Sequence, residues 1–151
     1  MRDLSGHMIK KYDIHAGIAV PNIAINYPLR MRANEYYAIE PFITTGNGIS
    51  ILKNPNSHYM LTKKSNDSNL NFEEMLLYNH IKQQYSTLPF CQRWLYEGGI
   101  KVSEIDKLCS KNILNKYPPI YDINGSIISK FEHTIFVKEN GIINLTKNTF
   151  Y

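Results

Sequence analysis

The hydrophobic period of this chain changes twice, from that of strands to that of helices and back. Residues 1–59 read as strands: Ile14, Ala16, Ile18 and Val20 alternate with smaller or polar residues until Pro21 ends the run. Glu35 to Ile43 is a second strand, rich in aromatic and β-branched residues, with a Gly46–Gly48 loop after it. The period then lengthens. Phe72, Met75, Leu76, Leu77, Tyr78, Ile81 and Tyr85 form a broad apolar helical face, with Asn71 placed to cap it and Glu73 and Glu74 in the first turn. Leu88 and Pro89 open a second short helix that Gly98-Gly99 stops, and Ser103 to Asp106 has the capping pattern of a third. Helical backbone cannot cross Tyr117-Pro118-Pro119.

After the prolines the strand period returns. From Ile127 to Val137, residues Phe131, His133, Ile135 and Val137 fall on one face, with Lys130, Glu132, Thr134 and Phe136 on the other. Asn140-Gly141 predicts a two-residue hairpin, with Ile142 to Leu145 as its return strand. The fold class is therefore α+β: a mostly antiparallel sheet from residues 1–59 and 118–151, interrupted by a three-helix insertion over 60–117. Such a sheet needs a covering layer. The predicted helices bury their apolar faces mostly against one another, so Ile14, Ile18, Ile39, Phe131, Ile135 and Val137 are expected to form an apolar face left bare.

Composition narrows the class. With 151 residues, 43% hydrophobic and 20% charged, the chain is neither disordered nor fibrous. The net charge of +4 invites a nucleic-acid partner, but acidic residues accompany the basic ones in every stretch, which describes a mildly basic solvated surface. No apolar run is long enough to span a bilayer, and Met1 to Gly17 lacks the apolar core of an export signal. A cytoplasmic protein is expected, with Cys91 and Cys109 as reduced thiols.

Some polar residues are odd where they fall. Glu40 interrupts a run of Ala, Ile, Pro and Phe; Glu132 sits between Phe131 and His133; His7 follows a glycine, and His15 precedes Ala16-Gly17. Carboxylates seldom sit mid-strand among apolar neighbours unless paired or bound to metal. Pairing is open to both: Glu40 with Arg30 or Arg32, and Glu132 with Lys130 or Lys138. As a set, His7, Glu40 and Glu132 suit a carboxylate-rich divalent site with one imidazole, of the kind that holds two adjacent metals around an activated water. No nucleophile elbow, Walker loop or dinucleotide fingerprint is present.

The ordered series Leu-Ser-Gly-His7, Ile-His15-Ala-Gly, Tyr-Ala-Ile-Glu40-Pro-Phe, Ser-His58-Tyr-Met, Thr-Leu-Pro-Phe-Cys-Gln-Arg-Trp94-Leu, Tyr117-Pro-Pro and Phe-Glu132-His-Thr resembles type 2 methionine aminopeptidases. These are pita-bread metallopeptidases, and the helical insertion over about 60–117 is what sets type 2 apart from type 1. The resemblance implies His7 and Glu40 as ligands of one metal and Glu132 as the catalytic bridge between two. It implies His15 as a catalytic and substrate-contacting histidine. Ile14, Phe42, His58 and Tyr117 would line the pocket for a methionine side chain. The cofactor implied is a pair of divalent ions (cobalt, manganese, iron or zinc), and the substrates are nascent polypeptides that begin with Met. The family draws two further metal-binding aspartates and a substrate histidine from sequence upstream of the part matched here. The chain is thus expected to be a C-terminal portion, whose partner is the N-terminal half of the same enzyme. A non-catalytic pita-bread-like module that binds RNA or ribosomes is the alternative, and association with ribosomes is compatible with both. A nonfunctional truncated product is a third reading that the residues alone do not separate.

Overall fold

The computed structural model describes residues 1–26, 28–63 and 69–147. Residues 64–68, in the polar stretch between Lys63 and Asn71, lie outside them. In chain order the elements are β1 (Ser5–Ile9), β2 (Ala19–Pro21), β3 (Tyr36–Ile39), β4 (Phe42–Thr44), β5 (Ile51–Leu52) and β6 (His58–Leu61). Next come α1 (Phe72–Gln84), β7 (Phe90–Cys91), α2 (Gln92–Glu97), α3 (Ile105–Ser110) and β8 (Leu114–Tyr117). The series ends with β9 (Ile120–Tyr121), β10 (Ile128–Lys130), β11 (His133–Lys138) and β12 (Gly141–Asn144). The chain divides into two compact units, one of Met1–Ile51 with Ile120–Tyr151 and the other of Leu52–Pro119.

The first unit is built on a five-stranded antiparallel sheet in the order β12-β11-β3-β1-β2, with a β4-β10 ribbon beside it in the sequence. Both long strands expected from the sequence break part-way. Glu35 to Ile43 divides at Glu40-Pro41, since Pro41 has no N–H to give a ladder, and Ile127 to Val137 divides at Phe131-Glu132. Of the run from Ile14 to Val20, only the last two residues enter a strand. The hairpin forms one residue earlier than expected: Lys138 pairs with Gly141, whose φ of +127° suits glycine.

Met8, Ile18, Tyr37 and Ile135 form the core of this unit, with Ala16, Val20, Met31, Ile39 and Val137 packed around them. Four of the six residues expected on a bare face, Ile18, Ile39, Ile135 and Val137, are therefore covered within the unit itself. The loop that brings in Met31 helps cover them. Phe131 does remain exposed, as do Ile127 and Ile142. Burial of each large apolar side chain contributes about 1.5–3 kcal/mol.

The second unit wraps the three helices around a β7-β6-β8 sheet. His58 and Tyr59, expected with the outer sheet, belong here because β6 pairs with β7 and β8. Asn71 caps α1 as its position predicts: its side chain accepts from the Glu74 N–H, and the Glu74 carboxylate accepts from the Asn71 N–H. The other two helix starts differ from expectation. Pro89 precedes a strand residue and not a helix, since Phe90-Cys91 pairs with His58-Tyr59, and α2 opens only at Gln92. Ser103 does not cap α3, which opens at Ile105 with Glu104 at the cap position and no side-chain cap bond. Leu77, Ile81, Phe90, Leu95, Leu108 and Ile113 make a tightly buried core between helices and sheet.

Candidate functional site

Three candidate site residues of the first unit, His7, Glu40 and Glu132, come together beside the sheet formed by β1, β3 and β11. In β1, Met8 points into the core, so its neighbour His7 points the other way. His7 stands opposite Ala38 in β3, and Ala38 stands opposite Thr134 in β11. Glu40 is two residues past Ala38, and Glu132 is two residues before Thr134. Continued one residue past the end of β3 and one before the start of β11, the period of two puts Glu40 and Glu132 on the side of His7, and the contacts below link the three. Gly6 makes the approach of β1 and β3 close here: a Cβ on it would lie 2.2 Å from the Ala38 carbonyl oxygen.

At the end of this face, His7 Nε2 lies 2.8 Å from Glu40 Oε1. The other oxygen of the same carboxylate, Oε2, lies 2.7 Å from Lys130 Nζ. That ammonium also donates to Glu132 Oε2 at 2.8 Å. The order of contacts is His7, Glu40, Lys130, Glu132. Glu40 is paired with neither Arg30 nor Arg32, the partners open to it in the sequence; of the two lysines open to Glu132, Lys130 is the one in contact. The sequence did not disclose that one lysine reaches both carboxylates, because that depends on the β4-β10 register, in which Lys130 stands opposite Phe42.

Electrostatics follow from these contacts. The hydrogen bond to Glu40 holds the His7 imidazole above its ordinary pKa, against the opposing effect of burial. Burial pushes the Glu40 carboxyl upward, but His7 and Lys130 together outweigh it and leave its pKa below the usual value. For Lys130, burial pulls downward and the two carboxylates more than restore it, so its pKa is raised.

His15 reaches the same place from the β1-β2 loop. The chain reverses through a Lys10–Asp13 bridge, and Ala16 N–H then donates to the Met8 carbonyl at 2.9 Å. This return brings the His15 ring edge-on to His7, with centroids 4.4 Å apart. Phe42 is half-buried in β4, with its ring centroid 5.3 Å from Lys130 Nζ, and Ile14 is half-buried in the loop before His15. In the second unit, His58 and Tyr117 stand opposite each other across β6 and β8. Burial raises the Tyr117 pKa, and its hydroxyl lies 3.7 Å from the Met60 sulfur.

No protein-family model matches the chain. The chain is 35% identical over 154 residues to methionine aminopeptidase 2 of Encephalitozoon intestinalis, covering 99% of this chain and 43% of that protein. The chain is a relative of the methionine aminopeptidases. The methionine aminopeptidase of Saccharolobus solfataricus is 36% identical over 98% of this chain and 50% of its own length, and that of Pyrococcus abyssi is 37% identical over 96% and 50%. The chain thus spans about half the length of the methionine aminopeptidases it matches, or somewhat less. Its fold is shared with a solved structure described as that of a thermophilic Arx1, with a TM-score of 0.80, 16% identity, and coverage of 95% of this chain and 40% of that one.

The donor types fit the divalent cation that methionine aminopeptidase kinship implies, since carboxylate and imidazole suit such ions. The structure adds that the Glu40 and Glu132 carboxylates together hold a cation, the Lys130 ammonium. Among the described residues, no group of three or more His, Cys, Asp or Glu is arranged to enclose a metal ion by itself. Among them, too, no helix is long and apolar enough to cross a membrane.

Proposed function

We propose that this chain is the C-terminal portion of the catalytic domain of a type 2 methionine aminopeptidase, which removes the N-terminal methionine from nascent polypeptides in the cytosol. The observation that carries this reading is the direct contact of His7 with Glu40, on the same sheet face as Glu132, in a chain related to methionine aminopeptidases over nearly its whole length. His7 and Glu40 would hold one divalent ion, and Glu132 would bridge it to a second. When bound, such ions lower the pKa of water and polarise a carbonyl. His15, packed against His7, would orient the scissile peptide. The pocket roles of Ile14, Phe42, His58 and Tyr117 rest on the family resemblance alone. Three donors cannot saturate two ions, so the remaining ligands would come from sequence outside these 151 residues. The helices and β7-β6-β8 sheet of the second unit are read as the winged-helix-like insertion of the type 2 subfamily.

Assay of the chain combined with an upstream half that carries the missing aspartates tests this reading. Mn²⁺- or Co²⁺-dependent release of methionine from a Met-Ala-Ser peptide is expected, with loss of turnover in Glu132→Gln. Release of methionine that Glu132→Gln leaves unchanged would refute the assigned role.

A second reading, a non-catalytic module that binds RNA or ribosomes, is favoured by one feature: the Lys130 ammonium is already paired with both carboxylates. Co-sedimentation with ribosomes, unaffected by Glu132→Gln and without peptide cleavage in the combined assay, would support it.

A further inference from the structure

We propose that Lys130 is a tethered counter-cation of the Glu40–Glu132 pair, which competes with divalent metal for that pair and sets the site's affinity. The inference rests on the reading of Glu40 and Glu132 as metal donors. Lys130 Nζ lies within 2.8 Å of one oxygen from each carboxylate, a position between two anions where a bridging cation would also find its charge partners. The placement is built into the backbone. Pairing of Lys130 with Phe42 fixes the root of the side chain beside Glu40-Pro41. Past the strand break at Phe131-Glu132, the Glu132 carboxylate accepts from the same ammonium. The Phe42 ring, 5.3 Å from Nζ, offers the stem an apolar wall and the ammonium an aromatic face.

The competition follows from charge. With Lys130 in place, two carboxylates share one positive charge, and a dication must displace the ammonium or sit beside it. An ammonium has no lone pair to offer a metal, so it acts only as a rival. A neutral amide at the same position would leave both carboxylates available to the metal.

The test is a Mn²⁺ titration of the chain combined with the upstream half that supplies the remaining donors, followed by the electron paramagnetic resonance signal of the free ion, with circular dichroism as a check on folding. Lys130→Gln is expected to bind Mn²⁺ about 10–100-fold tighter than the unmodified chain, the range in which groups around a metal site act on affinity. Lys130→Arg, which keeps the charge, should bind as the unmodified chain does. Adding Glu132→Gln to Lys130→Gln should abolish the gain. Equal affinity for the unmodified chain and Lys130→Gln, lost in both on Glu132→Gln, would overturn the role of Lys130 and leave the metal donors standing. A gain that survives Glu132→Gln would also overturn it, because the ion would then bind elsewhere. No binding by any form at millimolar Mn²⁺ would overturn both this inference and the metal-site reading beneath it.

Discussion

His7 and Glu40 meet at 2.8 Å across the ends of two neighbouring strands, and both side chains are largely withdrawn from water, at 17% and 11% exposure. His7 is held by the register of β1 on β3, and Glu40 directly follows the last residue of β3, so the sheet fixes the backbone leading to both sides of the contact. In the proposed metal site the pair would be preorganised, since neither partner would have to be ordered when an ion arrives.

The closeness of those strands predicts the effect of Gly6→Ala. The new Cβ would collide with the Ala38 carbonyl, so β1 must shift away from β3. A loss of about 1–3 kcal/mol is expected, as for other overpacked sites. Urea denaturation checks it, and the β1-β3 amides should lose protection from hydrogen exchange in the same variant.

Protonation of His7 should depend on Glu40. The raised imidazole pKa favours the folded state, with the contribution fully present below the ordinary value of 6.5 and lost as pH rises through the raised folded value. In Glu40→Gln, the NMR titration midpoint of His7 should move down toward the ordinary value. An unmoved midpoint would show that another group sustains it.

Asp122 predicts an acid-side dependence of the first unit. Its carboxylate accepts from Gly48 N–H at 2.9 Å, Ile123 N–H at 2.7 Å, Thr44 Oγ1 at 2.9 Å and Asn47 N–H at 3.1 Å. The backbone bond from Gly48 is the largest of the effects that hold its pKa down at about 2, against burial. Its contribution is present above the ordinary 3.8 and is lost as pH falls through about 2. Asp122→Asn should therefore lower the thermal midpoint at pH 7 and reduce the dependence on pH between 4 and 2. Calorimetry across that range is the check.

In the second unit, Leu108→Ala should cost about 2–5 kcal/mol, because the side chain is fully buried between α3 and its sheet. Asn71→Ala should cost about 0.5–2 kcal/mol through loss of the α1 capping box. Chemical denaturation of each variant gives both values.

What the sequence disclosed was mostly local. Asn71 and Glu74 cap α1 by chemistry confined to four residues, and the alternation in β11 is carried by the strand itself. What it hid was tertiary. Leu114 to Tyr117 looks like the tail of a helical stretch and becomes a strand only because β6 offers it a partner. Pro89 looks like a helix start, but pairing of Phe90-Cys91 with β6 overrides that local signal. At the site, Glu40 and Glu132 stood out as carboxylates among apolar neighbours, and Lys130 was visible only as a partner for Glu132. Its reach to Glu40 needed the β4-β10 register, which no local pattern encodes.

Metal donation by His7, Glu40 and Glu132 is the proposal on which the others depend. Its most direct test is anomalous scattering at the manganese edge from crystals of the chain combined with its upstream half and grown in Mn²⁺. A peak is expected in bonding contact with His7 Nε2, Glu40 and Glu132, with the Lys130 ammonium moved away from both carboxylates. A fully occupied Lys130 contact to Glu40 and Glu132, with no anomalous peak beside them, would contradict it.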